Sequence, residues 1–353
     1  MMSRRRREEA NRLVLDEARA TLDEREAAAS AAVLRWRWGR RPAEQMLPLR
    51  LGGEPIATPA TPHQDIVEYG EDADGRLRIV REYELGKHDV VHTLTVYTYG
   101  TARVTWSQHD SSAARRTIVA GTLTLDDGQP VEATIVNRNE RRTERYIHHA
   151  TRLVQVEVAR LPSADPRGRE LRSTMHVSSD TQGITAVDET TDGGRRRAVY
   201  RRRNPHDTVE SVADAFLTAL KTAVDRVARA LPREPPIAAI ALVWSGHPPL
   251  PPFVTSATPP ERADPALRWA FADWARILPA DEDLDVQDAA LRLSALAGPD
   301  AFAIGVDVAR RAAARLRAND WSELNVTNDF TIVACDYYLE ELERACQDAG
   351  SER

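Results

Sequence analysis

Lysine is almost missing from this sequence: of 48 basic residues only Lys87 and Lys221 are lysines, against 54 acidic residues. Nearly every cation is therefore an always-charged planar fork suited to two-point pairing with carboxylates. Cysteine is almost missing too. Cys335 and Cys346 are the only two, which excludes a disulfide framework, and no histidine stands near them at a zinc-ligand spacing. No apolar run is long enough to span a bilayer as a helix. The basic Arg4–Arg7 start is not followed by the apolar stretch of a secretory signal, so the expected location is cytoplasmic. Without secretion the sequon at Asn325–Thr327 has no meaning.

What is present is the composition of a globular chain, 42% hydrophobic and 29% charged over 353 residues, enough for two modest cores. The net charge of −6 is unevenly spread. Residues 1–203 carry 34 basic and 30 acidic side chains, whereas residues 204–353 carry 14 and 24, a net −10. The sign changes at Arg201–Pro205, where the hydrophobic period also changes, and a domain boundary is expected between Tyr200 and Asp207.

The expected fold class is α+β: an N-terminal helix, an antiparallel β-meander, then a helix-rich α+β domain with few strands. Residues 1–38 are rich in Arg, Glu, Ala and Leu without Gly or Pro up to Trp38, which predicts a helix with a thin apolar stripe. A connection bearing Pro and Gly follows. Residues 64–203 alternate apolar and polar positions, as half-buried strands do; Leu77, Ile79, Tyr83 and Leu85 form one set, and Val154, Val156 and Val158 another. Asp74-Gly75, Asp127-Gly128 and Gly193-Gly194 are hairpin turns.

After Pro205 the period becomes 3.6. Asp207 and Glu210 suggest a capping box, and Val209, Val212, Phe216, Leu220, Val224, Val227 and Leu231 form a helical stripe. Ile237–Trp244 reads as a buried strand. Asp264-Pro265 opens a helix facing its core with Leu267, Phe271, Trp274 and Leu278. Two Ala-rich helices follow near 285–297 and 299–318, then a buried strand from Phe330 to Cys335 and a last helix from Tyr338 to Gln347.

Candidate sites are sparse. His88 and His92 stand four apart, but their flanks favour strand, where that spacing is about 13 Å, too far for one metal ion. His148 and His149 are adjacent, so a strand points them to opposite faces. Asp281-Glu282-Asp283-Leu284-Asp285 resembles the start of a calcium loop, but Val286 and Arg292 occupy the positions that need Gly and Glu. Pro248–Pro252 reads as a rigid loop. The arginine runs at 195–197 and 201–203 lack interleaved aromatics, and with the overall acidity they argue against nucleic acid. No catalytic motif, metal site or cofactor fingerprint is present.

Two blocks of the C-terminal half carry a family resemblance covering about a third of the chain. They are Ile240–Trp244 with Pro248–Phe253 and Thr258–Arg262, and Trp321 with Asn328–Asp336 and Leu339–Arg344. These blocks resemble uncharacterised immunity-type proteins of bacterial polymorphic-toxin loci, and the resemblance implies binding rather than catalysis. The expected function is thus a non-enzymatic, immunity-like protein that engages a basic protein partner, with no cofactor and no membrane. The expected contact residues are Asp281, Glu282, Asp283, Asp285 and Trp321, the last either an exposed anchor or a lid over the core near Phe330. The alternatives are a scaffold subunit of a bacterial assembly, and an enzyme whose site carries no known motif.

Overall fold

The computed structural model describes residues 4–40, 66–83, 90–111, 114–165, 167–232, 234–244, 252–263, 274, 276–297 and 300–336. The chain divides into two compact units, Met1–Tyr200 and Arg201–Arg353. Both combine helices and sheet, one sheet being a large antiparallel meander. That is the α+β class expected.

In the first unit two helices, α1 (Arg4–Ala20) and α2 (Leu22–Ala32), precede twelve strands. The strands are β1 (Arg35–Arg40), β2 (Ile66–Glu71), β3 (Leu77–Tyr83), β4 (Val91–Tyr99), β5 (Arg103–Asp110) and β6 (Thr117–Asp126). They continue as β7 (Gln129–Asn137), β8 (Glu140–His149), β9 (Arg152–Pro162), β10 (Leu171–Asp180), β11 (Gly183–Thr191) and β12 (Arg196–Arg201). The helix does not run to Trp38 as expected. Val33 is extended, and the Leu34 N–H donates to the Glu71 carbonyl at 2.9 Å, which hands the chain to the sheet. Pairing with β2 overrides the local helix preference, because strand formation depends on the partner more than on intrinsic propensity. Trp36 then packs on Gly70, where a Cβ would stand 3.0 Å from the indole.

Sheet order follows chain order from β1 to β12. The turns use the predicted chemistry: Asp127 and Gly128 both have positive φ, 47° and 78°, as a type I′ hairpin requires. β9 departs from simple alternation. Ile147 pairs with Gln155 and His148 with Leu153, so Val154 is the extra residue of a bulge and is 38% exposed. Leu153, Val156 and Val158 are the buried set.

Both faces of this sheet need cover. On the outer face Leu22 and Ala29 of α2 pack against Ile79, Leu94 and Val96, while α1 lies over β6 and β7. On the inner face Tyr69, Trp106, Ile135, Val156, Met175 and Val199 belong to one buried cluster that runs from β2 to β12. Among the described residues of this unit no helix lies on that face. The side chains of that face pack against one another along the ladder, and a sheet of this kind is twisted rather than flat.

The second unit is built on β13 (Ile237–Trp244), which pairs in parallel with β16 (Val326–Asp336) and antiparallel with β14 (Phe253–Ala257). β15 (Arg276–Leu278) adds to β14. The expected helix from Asp264 to Leu278 is thus corrected at its end, where residues 276–278 gain a strand partner; residues 264–273 lie outside the described residues, as does the expected helix 338–347. β13 is buried on both faces: Ile240 and Leu242 join the main core, while Ala239, Ala241 and Val243 pack with Trp274 and Val333. That explains its unbroken apolar run.

Helices α3 (Val209–Arg229), α5 (Leu284–Ala297) and α6 (Ala301–Arg317) cover this sheet, and α4 (Pro259–Ala263) is a short turn of helix. The cap of α3 differs from expectation. Thr208 and Ser211 form the capping box with reciprocal bonds of 3.1 Å, while Asp207 pairs with Arg292 of α5 through both carboxylate oxygens. The nearby arginine removes Asp207 from cap duty, and the next hydroxyl takes it. Thr208→Ala should lower the stability of the second unit by about 1 kcal/mol. Chemical denaturation followed by circular dichroism checks this, with Glu210→Gln as the variant expected to change little.

Candidate functional site

The sequence-predicted residues separate on inspection. Asp283 is the N-terminal cap of α5: its Oδ1 accepts from the N–H groups of Asp285 and Val286 at 2.9 and 3.3 Å, and its Oδ2 from Arg226 at 2.6 Å. Asp281 and Glu282 are half-buried in a 3-10 turn (Pro279–Glu282), and Asp285 is exposed. The acidic run is therefore partly consumed by local structure. Trp321 is corrected as an exposed anchor. It is 7% exposed, its indole N–H donates to the Leu316 carbonyl at 2.8 Å, and its ring meets Phe330 edge-on at 5.8 Å. The lid position satisfies both its apolar ring and its polar tip.

His92 is exposed on β4, and His88 lies outside the described residues. His148 and His149 end β8, half-buried and exposed respectively. A further histidine, which sequence reading passed over, has more elaborate surroundings. His109 Nε2 is 2.8 Å from Ser107 Oγ, and its Nδ1 is 3.2 Å from Thr117 Oγ1. Arg25 of α2 donates to Ser107 Oγ at 2.9 Å and to the Val96 carbonyl at 3.2 Å. A serine beside a histidine invites a nucleophilic reading. Both side chains are fully buried under α2, however, so no substrate reaches them, and the network is a polar bolt between helix and sheet. Burial first, then the charges of Arg25 and Arg115, push His109 down to about 4.

The inner face of the sheet differs along its length. At one end Arg142 and Glu144 stand 2.7 Å apart, and the Tyr146 hydroxyl donates to Glu144. Nearby in the ladder Glu189 accepts from Ser173, Arg197 and Arg160. Burial alone would raise the Glu189 carboxyl, but those hydrogen bonds and the two guanidinium charges outweigh it and hold it below the usual carboxylate range. This end is closed by its own ion pairs.

The other end holds a cleft. The turns after β2, β4 and β6 border a space of about 750 Å³, with Tyr97, Trp106 and Leu123 as its buried floor and Tyr99, Leu125 and Arg76 at its rim. The space exists because of one glycine. The Trp106 ring lies against Gly121 of the neighbouring strand, and a Cβ there would stand 2.2 Å from it. The rim is stiffened by cations over Tyr99, with the Arg78 and Arg76 guanidinium carbons 5.0 and 5.8 Å from its centroid. Arg78 is itself fixed by Asp72 at 2.7 Å. The cleft was not foreseen. Its legible signal is Gly121 inside an otherwise regular strand pattern, which marks a close approach onto backbone.

No protein-family model matches the chain. No curated protein matches it. A solved structure of a porin-like protein from Bacteroides vulgatus ATCC 8482 is 13% identical, with 43% of this chain and 91% of that chain covered at a TM-score of 0.28. A likeness at that score carries no argument about this chain. No described helix is long and apolar enough to cross a membrane.

The buried histidine makes stability depend on pH. Its folded value lies below its ordinary value of 6.5, so between the two the unfolded chain binds more protons than the folded one. His109 therefore supports folding fully above 6.5, and that support is lost as pH falls toward 4. In denaturation measured from pH 7 to pH 4, a His109→Gln variant should show a shallower loss of stability than the parent protein. Equal slopes would count against the neutral, bolted histidine.

Proposed function

We propose that the protein is a non-enzymatic binding protein whose ligand is a small apolar molecule with an aromatic or otherwise flat body, received by the cleft of the first unit. The observation that carries this reading is the aromatic-floored cleft of about 750 Å³. Its size and lining match the concave, largely apolar sites that take small molecules. Two of the three floor residues, Tyr97 and Trp106, are rigid rings, so little entropy is lost when a ligand stacks on them. A ligand that buries roughly 250 Å² of apolar surface gains about 6 kcal/mol, which sets an upper bound on affinity of the order of tens of micromolar without further polar contacts. The rim supplies such contacts through Arg76 and the backbone of Gly100 and Thr101.

The test is titration with N-phenyl-1-naphthylamine, an apolar dye that brightens when shielded from water, followed by displacement with small aromatic and aliphatic compounds. The parent protein should saturate at one site. Tyr99→Ala should weaken binding about tenfold, the loss of one stacking contact. Gly121→Ala should abolish binding by driving the Trp106 ring into the cleft, with a stability cost of about 1–3 kcal/mol for overpacking. Dye binding that never saturates, or that both variants leave unchanged, would remove the cleft from the account.

A second reading, an immunity-like grip on a basic protein, draws support from a different observation. Asp214, Asp283 and Asp285 border an open groove of about 560 Å³ along α3, lined also by small side chains such as Ala215 and Thr218 and by Arg226, which pairs with Asp283 as Arg311 does with Asp214. On this reading an arginine- or lysine-rich partner associates faster at low salt. An Asp214→Asn, Asp285→Asn double variant should then slow association with a basic protein by severalfold at low salt and little at high salt; indifference to the double change sinks this reading.

A further inference from the structure

The first unit carries a groove apart from the cleft. It runs along α1 and encloses about 870 Å³ between that helix and the turns at the ends of β5–β6, β7–β8 and β9–β10. Arg5, Arg12 and Arg19 line it at seven-residue intervals, which is about 10.5 Å per step along a helix. Arg116 and Arg138 face it from the sheet.

The arginines elsewhere set the contrast. Arg35, Arg37, Arg78, Arg81, Arg115, Arg197, Arg201 and Arg292 each pair with a carboxylate. Arg5, Arg12, Arg19, Arg116 and Arg138 are all exposed, and among the described residues none of their side chains pairs with a carboxylate. Three acids share the groove: Glu8, which Arg4 neutralises at 2.7 Å, and Glu9 and Asp16. Five unpaired cations against two unpaired anions leave a net excess of positive charge along about 21 Å of helix from Arg5 to Arg19. Such a linear field is what a chain of anions seeks.

The lining selects among anions. Leu15 and Ala164 are its only apolar members, and it has no aromatic ring. An acidic peptide would bring side chains with nowhere to pack, and a base would find nothing to stack on. A phosphate chain needs neither, and arginine forks meet its oxygens two at a time. We infer that this groove binds serial phosphates, by backbone contact alone and without regard to sequence. The chemistry is shared by a free polyphosphate and by the backbone of a single-stranded nucleic acid. The sequence-level argument against nucleic acid rested on the arginine runs at 195–203 and on total charge, neither of which describes this groove.

The experiment uses the full chain and measures binding of inorganic tripolyphosphate by calorimetry and of a fluorescent 20-nucleotide single strand by anisotropy, across a salt series. The expected result is binding of at least one probe, with the logarithm of the single-strand affinity falling by about 0.7 per contacted phosphate for each decade of salt. An Arg12→Gln, Arg19→Gln, Arg138→Gln triple variant should lower affinity at least tenfold and flatten that slope. A control triple of equal charge change, Arg103→Gln, Arg152→Gln, Arg196→Gln, should do neither. These side chains are exposed, so unchanged circular dichroism and melting are expected of both triples. Binding of both phosphate probes supports the shared chemistry; binding of one alone identifies the source. No binding of either at low salt, equal loss in both triples, or tighter binding of poly-glutamate would overturn the inference.

Discussion

A twelve-stranded sheet has two faces, and neither can be left to water when both carry apolar side chains. Most of this protein's first unit follows from how that burden is divided. The outer face takes helices, α2 against Ile79, Leu94 and Val96, with Arg25 reaching through to Ser107. The inner face packs its own side chains into one cluster that runs from β2 to β12. Self-coverage is geometrically imperfect. Where the ion pairs of Glu144 and Glu189 fill that face it closes; where Trp106 lies against Gly121 it leaves the cleft.

The arginine-rich composition shapes the rest. Glu71 is 3% exposed and holds both Arg35 and Arg37, and Glu189 holds Arg160 and Arg197. A buried ion pair costs desolvation that its attraction only partly returns, so such pairs stabilise little and instead specify register. At Glu71 the clamp fixes the edge strand β1 on β2. At Glu189 it ties β9 and β12 to β11 across an end of the sheet with too few apolar side chains to close it.

Much of this was legible beforehand, for identifiable reasons. Alternation announced the strands, since a period of two follows from the pleat itself. The stripe from Val212 to Leu231 announced α3 because burial of one helix face leaves a period of 3.6. Legibility failed where a distant partner decided the outcome. Residues 35–40 form a strand only because β2 accepts them, and Thr208 caps α3 only because Arg292 holds Asp207, 85 positions away. The site failed for the same reason. A run of acids is visible in one dimension, whereas the cleft is assembled from three turns and a glycine, and the arginine groove from one helix and three turns.

The packing of α1 has a bearing on how the chain is made. Asn11 bonds to Ser163 and Arg7 to the Asp165 carbonyl, contacts across 152 and 158 residues. The strands between them each pair with the neighbour just synthesised, so the meander can zip in step with its own emergence. The helix cannot. This helix leaves the ribosome well before its docking surface is complete, and it must wait in water while the sheet is built. Its dense arginine and glutamate suit that wait. They keep a thinly apolar helix soluble until β6 and β7 arrive, and discourage the growing meander from closing on it in the wrong register.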